Sequence, residues 1–221
     1  MKYPKIQSLW KREEGSTNKG KILEGQYSLD EIPNIKQWEV QEKIDGTNIR
    51  IRFYHKLEGD INHYYSETPS IEIMGRGDDA SIPNHLCKYL ISHFNHERLS
   101  KVFCTNEEVL LFGEGYGPKI QSGGNYRKDA GFILFDIKIG FWLLKQSDVK
   151  NIAESLEVPY APIIGLMTEQ EIVDYVKSKP LSLCSITPQV MEGIIARPPD
   201  LLFLRNGDRL MFKLKCKDFD R

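Results

Sequence analysis

The sequence holds no apolar run near the ~18 residues that a membrane-spanning helix needs, so no membrane-spanning helix is expected in it. The N-terminus, MKYPKIQSLWKREEG, lacks the apolar stretch of a secretory signal. Cysteine is scarce: Cys87, Cys104, Cys184 and Cys216 are the whole set. No two form a CxxC pair, and their spacing fits neither a zinc ribbon nor a disulfide framework. They read as ordinary intracellular thiols. An excess of one charge is missing as well, since 30 Lys and Arg face 31 Asp and Glu for a net charge of −1. Any contact with nucleic acid must then come from a local patch rather than a global field. There is no GxxxxGK[ST] phosphate loop. Gly113-Glu114-Gly115-Tyr116-Gly117 is not a Rossmann fingerprint, because the third glycine is misplaced and no long helix follows. No repeat and no low-complexity segment occurs. A soluble cytoplasmic protein without membrane contact is the expectation.

What is present is mostly strand. A chain of 221 residues allows one large domain or two small ones, and we read 1–221 as a single domain. Ile49–Phe53 alternates at period two, and Ile71–Met74, Val109–Phe112, Phe132–Ile139 and Gly193–Ala196 are short apolar or alternating runs bounded by Gly or Pro. In LFLRNGDRLMFKLK, Asn206-Gly207 stands between two alternating runs, which predicts a hairpin. The polar run Lys11–Gly25 reads as a loop or extended edge segment. Helices are fewer. Pro83–Val102 carries Leu86, Leu90, Phe94 and Leu99 near a helical stripe, Ser147–Leu156 opens on a plausible cap, and Thr168-Glu169-Gln170-Glu171 is a capping box opening a helix to Lys177. Strands with interspersed helices and hairpin connections predict an α+β fold with mainly antiparallel sheets and flanking helices.

Five short stretches carry chemistry-bearing residues, each with a plain structural alternative. Lys43-Ile44-Asp45-Gly46 places a lysine at the mouth of a strand, where a surface ion pair would also suit it. Glu114 lies between two glycines at the end of an apolar run, and glycine allows close backbone approach to a ligand. The apolar strand FILFDI ends in Asp136, and its aromatic rings would serve equally as core. Glu192 sits beside a glycine, facing solvent or a cation. Lys213 and Lys215, two apart, share one face of a strand.

In this order, the five stretches resemble the covalent nucleotidyltransferase superfamily of ATP-dependent DNA ligases, RNA ligases and mRNA capping enzymes. The match runs from residue 42 to 215. Lys43-Ile44-Asp45-Gly46 looks like the nucleophile motif, and Glu114, Phe135, Glu192 and Lys213-Leu214-Lys215 look like the four nucleotide-binding motifs downstream. Within the superfamily the resemblance is to RNA ligases, of the phage RNA ligase 2-like type. EKIDGTN has the glutamate before the lysine and the Thr-Asn after the glycine that they favour, and GEGYGPKIQ is similar to their glutamate motif. The resemblance implies an ATP-grasp-like adenylation domain over 1–221. The chain stops six residues after Lys215, leaving no room for the C-terminal OB domain of DNA ligases and capping enzymes; a separate domain or partner protein would have to supply it.

The chemistry it implies is RNA repair by lysine adenylation with ATP and Mg²⁺ or Mn²⁺. Lys43 would form a lysyl-AMP intermediate, AMP would pass to a 5′-phosphate end, and a 3′-hydroxyl would seal the break. A free lysine has a pKa near ~10.4 and is inert as ammonium; cationic neighbours such as Lys213 and Lys215, and a metal, disfavour that form. The resemblance assigns ribose to Glu114, the adenine face to Phe135 and the metal to Glu192. Phe132 should face the other side of its strand. Glu42 would bind the nucleotide, and Asn48 the nucleotide or the RNA end. Arg76 is the candidate for a phosphate contact, with Arg50 and Arg52 as alternatives. The partners implied are RNA ends, with DNA or hybrid ends open. The alternatives are an ATP-dependent DNA ligase, a capping guanylyltransferase, or a non-catalytic nucleotide- or nucleic-acid-binding relative. His85, His93 and His96 read as solvent-facing rather than metal ligands, and Lys2, Lys5, Lys11 and Arg12 as a solvated surface.

Overall fold

The computed structural model describes residues 2–13, 20–60, 63–77, 80–121 and 123–220. The chain forms two compact units, one from Met1–Tyr3 and Asp45–Tyr160, the other from Pro4–Ile44 and Ala161–Arg221. The strands are β1 (Gln7–Ser8), β2 (Trp10–Arg12), β3 (Ile22–Tyr27), β4 (Trp38–Lys43), β5 (Thr47–Asp60), β6 (His63–Met74), β7 (Val109–Tyr116), β8 (Gly131–Ile139), β9 (Trp142–Leu143), β10 (Ile163–Met167), β11 (Gly193–Arg197) and β12 (Phe212–Lys215). The helices are α1 (Asn84–His93), α2 (His96–Val102), α3 (Gln146–Ser155) and α4 (Glu169–Lys177). This is the α+β architecture that the sequence predicts. Among the described residues no helix is long and apolar enough to cross a membrane.

The first unit is built on an antiparallel sheet in the order β6-β5-β7-β8-β9. Alternation splits its side chains between two faces. Ile49, Ile51 and Phe53 of β5, Val109 and Leu111 of β7, and Phe132 and Leu134 of β8 join Leu86, Leu90 and Phe94 in one buried core. The opposite face carries Asn48, Arg50, Phe112, Glu114 and Phe135. A bulge interrupts the β7–β8 ladder: Phe112 pairs with Asp136 and Gly113 with Leu134, so Phe135 has no opposite number.

The second unit holds a sheet in the order β1-β12-β11-β4-β10. Every pairing in it is antiparallel except β1 with β12. Trp38, Val40, Ile194, Ala196, Phe212 and Leu214 turn one face toward Ile172 and Val176 of α4. Strands β2 and β3 make a separate pair. The polar run Lys11–Gly25 is thus partly strand; its residues 14–19 lie outside the described residues.

Three expectations change in detail. The stripe over Pro83–Val102 is two helices, because Phe94 turns into the core and Asn95 caps α2, its side chain accepting from the Arg98 N–H at 2.9 Å. Helix α3 starts at Gln146, and its N-cap position, Lys145, makes no side-chain cap, so Ser147 lies inside the first turn. The Asn206-Gly207 turn forms, with Gly207 at φ 84°, but only the Phe203–Arg209 bridge extends it. Phe212 and Leu214 are instead buried in β12 beside β11, where core burial outweighs a longer hairpin.

The capping box at α4 is present in full: the Thr168 hydroxyl accepts from the Glu171 N–H, and Glu171 accepts from the Thr168 N–H at 2.7 Å. Thr168→Ala leaves one of those donors without its cap. We expect a loss of about 1 kcal/mol, read as a lower urea midpoint with an unchanged m-value.

Candidate active site

Strand alternation sends Glu42 and Lys43 to opposite faces of β4. Lys43 lies on the face away from the core, in register with Gly193 of β11, which in turn pairs with Lys215 of β12. Gln41, Ile195 and Lys213 form the next row on that face. Lys43, Lys213 and Lys215 therefore share one side of the sheet, as period two requires.

Glu192 enters just before β11 and draws two of these lysines together. Its Oε2 is 2.5 Å from Lys43 Nζ, and its Oε1 is 2.5 Å from Lys215 Nζ. Its backbone carbonyl accepts from the Cys216 N–H at 3.0 Å, which fixes the carboxylate's base. Gly193 makes this turn feasible: its φ is +154°, and a Cβ there would lie 2.2 Å from the Leu214 carbonyl oxygen. Burial pushes the Glu192 carboxyl up, but the ammonium groups of Lys43 and Lys215 outweigh it and hold the group below its usual range.

Glu42 stands apart from this cluster. It is only 2% exposed and lies on the core side of β4, where one carboxylate oxygen accepts from the Ser182 hydroxyl at 2.5 Å and the other from the Leu183 N–H at 2.8 Å. Ser182 and Leu183 are 140 and 141 residues away along the chain, and no local pattern marks them.

In the first unit, Asn48 of β5 is directly opposite Glu114 of β7. The Asn48 Oδ1 is buried and has no hydrogen-bond partner among the described residues. Such an orphaned acceptor costs stability unless something supplies a donor. The glycine of KIDG is fixed by close approach, since a Cβ on Gly46 would come within 2.3 Å of the Gly115 carbonyl oxygen and 2.8 Å of Glu114 Cγ. Phe135 is half-buried on the Glu114 side of the sheet, while Phe132 is fully buried in the opposite face against Phe94. The three arginines differ in their surroundings. Arg52 is held between Glu72 at 3.1 Å and Glu108 at 2.5 Å. Arg50 is buried, and its Nε donates to the Gly75 carbonyl at 2.9 Å. Arg76, next in the chain, is exposed.

The histidines are not uniformly solvated. His93 is half-buried, stacked on Tyr89 and bonded to the Leu156 carbonyl, and burial holds its pKa down. Arg12 is likewise not free surface, since it pairs with Asp218 at 2.8 Å. Among the described residues no three His, Cys, Asp or Glu side chains cluster as a metal cage. Glu192 is a single carboxylate with each oxygen on an ammonium group; a magnesium ion there would have to displace one of them and bring most of its oxygen ligands as phosphate and water.

Because the Glu192 carboxyl titrates lower in the folded chain than its ordinary value of 4.5, its contribution is complete above that value and is lost as pH falls through the folded pKa. The stability gap between wild type and Glu192→Gln should therefore be widest near neutral pH and shrink as pH falls below 4.5 and through the lowered folded pKa. Urea unfolding at several pH values checks this.

A family model described as RNA ligase matches residues 36–215, from two residues before β4 to the end of β12. Among solved structures, a mutant of the Naegleria gruberi RNA ligase with ATP and Mn aligns at a TM-score of 0.57 and 20% identity, covering 87% of this chain and 55% of that one. The same ligase with PPi aligns at 0.57 and 19%, covering 86% and 55%. A further mutant with AMP and Mn aligns at 0.58 and 20%, covering 84% and 52%. The chain thus spans about half the length of these solved proteins. No curated protein matches it. The span 36–215 takes in Lys43, Glu114, Phe135, Glu192 and both lysines of β12, and on that match the chain belongs to the RNA ligase family.

Proposed function

We propose that this protein is an ATP-dependent RNA ligase acting in the cytoplasm, with 1–221 working as one adenylation domain. The observation that carries the reading is the Glu192 carboxylate gripped on either side by Lys43 and Lys215, in a chain of the RNA ligase family.

Lys43 Nζ attacks the α-phosphorus of ATP. A P–N bond forms, the bond to the bridging oxygen breaks, pyrophosphate leaves, and the proton that Nζ sheds as the P–N bond forms passes to solvent. An ammonium nitrogen has no lone pair, so before attack Nζ must pass one proton to solvent and become the neutral amine. Lys213 and Lys215 supply positive charge to the phosphate oxygens, and Arg76, exposed and with a bidentate fork, is the candidate for a further phosphate contact. Glu114 accepts hydrogen bonds from the ribose hydroxyls. Asn48 Oδ1 accepts one donor from the nucleotide or the RNA end. Phe135 offers its ring to adenine. Glu42, expected at the nucleotide, has its carboxylate committed to the Ser182 hydroxyl and the Leu183 N–H on the core side of β4, so its part is to hold that segment. A Mg²⁺ or Mn²⁺ bound at Glu192 would offset charge growing on the phosphates.

AMP then passes from Lys43 to a 5′-phosphate: the P–N bond breaks and a phosphoanhydride forms. A 3′-hydroxyl oxygen attacks the 5′-phosphorus and gives its proton to solvent; the phosphodiester forms as the phosphoanhydride bond breaks and AMP leaves. Each step depends on positioning and charge stabilisation.

An intact mass spectrum tests this. The protein is first stripped with pyrophosphate, then given ATP and Mg²⁺, beside Lys43→Ala. Wild type should gain one AMP and the variant none. Labelling by GTP instead would move the reading to capping, and no adduct from either nucleotide would remove the catalytic roles. Nicked RNA, DNA and hybrid duplexes then identify the acceptor.

A further inference from the structure

Phe135 occupies a position that the backbone does not fix. It is the unpaired residue of the β7–β8 bulge, between Leu134, which pairs with Gly113, and Asp136, which pairs with Phe112. Bulges re-aim side chains, and a ring at such a position takes its direction from packing rather than from the ladder. The packing comes from the far N-terminus. The Tyr3 ring meets Phe135 edge-on, at 5.2 Å between centroids and 68° between planes, and meets Phe112 at 5.0 Å and 53°. Its hydroxyl donates to Oδ2 of Asp136, the next residue after Phe135.

Asp136 is itself 1% exposed, and a buried carboxylate must be satisfied by donors. Its Oδ1 accepts from Gln146 Nε2 at 2.9 Å, and Gln146 Oε1 accepts from the Tyr160 hydroxyl at 2.6 Å. Tyr3 is thereby held at both ends: its ring by Phe112, its hydroxyl by a carboxylate locked from the other side by α3. This is a side-chain clamp on the one ring of β8 that the ladder leaves unpaired.

We infer that Tyr3 is a positioning residue that sets the orientation of Phe135, and through it the affinity for the adenine base. The second half rests on the ligase reading above; the first does not. Tyr3 touches no reacting atom in that scheme.

The test has two arms. In the first, the ring resonances of ¹³C-phenylalanine-labelled protein are recorded without nucleotide. Tyr3→Ala should shift and broaden the Phe135 signals and leave those of Phe132, on the opposite face, in place; Tyr3→Phe should restore most of the wild-type pattern. Unchanged Phe135 signals in Tyr3→Ala would overturn the inference, whatever the enzyme does. In the second, adenylation of Lys43 is followed against ATP concentration. Tyr3→Ala should raise KM for ATP about 3- to 10-fold, the scale of one lost aromatic pair, with kcat within about twofold. On a Phe135→Ala background the same change should add nothing, because the two residues act as one unit. A multiplicative effect in the double variant, or a fall in kcat at unchanged KM, would show that Tyr3 does not act through Phe135. If wild type forms no adduct at all, the ligase reading fails while the resonance arm still decides the role of Tyr3.

Discussion

One carboxylate shared between two ammonium groups governs the second unit's polar face. Lys43 and Lys215 reach Glu192 from the strands on either side of β11, and each takes one oxygen. Three ionisable groups this close and this little exposed are tolerable only together, because an unpaired charge there would bear most of its desolvation cost. The turn that places Glu192 depends in turn on Gly193 and on the Cys216 N–H. The cluster is thus built into the three-strand register rather than added to it, and a substrate that takes over one of its partners must compensate the others.

The first unit presents a different kind of surface. Its sheet buries one face against α1 and carries Asn48, Glu114 and Phe135 on the other. Glycines set the backbone spacing there: Gly46 passes against Gly115 and Glu114, and the ring of Phe132 fills the space over Gly113. Acceptors and an aromatic ring mark this face, whereas lysines mark the polar face of the second unit.

Much of β5, β7, β8, β11 and β12 and the end of β6, the capping box of α4 and the parity that puts Lys213 with Lys215 and separates Phe132 from Phe135 were legible in the sequence, because each depends on periodicity within a few residues; β1, β4, β9 and β10, short or without a marked alternation, were not. The stretch around Lys43 stood out through residue identities shared with a family, not through periodicity. Local pattern failed where burial competed with it. Phe94 left the helical stripe for the core, and Phe212 left the hairpin for β12.

By itself, the sequence determined which residue types are available and which face of a strand each must take, since alternation is a property of the backbone. Only the tertiary structure decided which of them meet. Glu192 lies 149 residues from Lys43, Ser182 lies 140 from Glu42, and Asp136 lies 133 from Tyr3. Nothing in a local pattern encodes those partnerships. They arise because strands distant in the chain are brought into register by the burial of their apolar faces, and the polar groups on the opposite faces are then satisfied by whichever neighbours that register supplies.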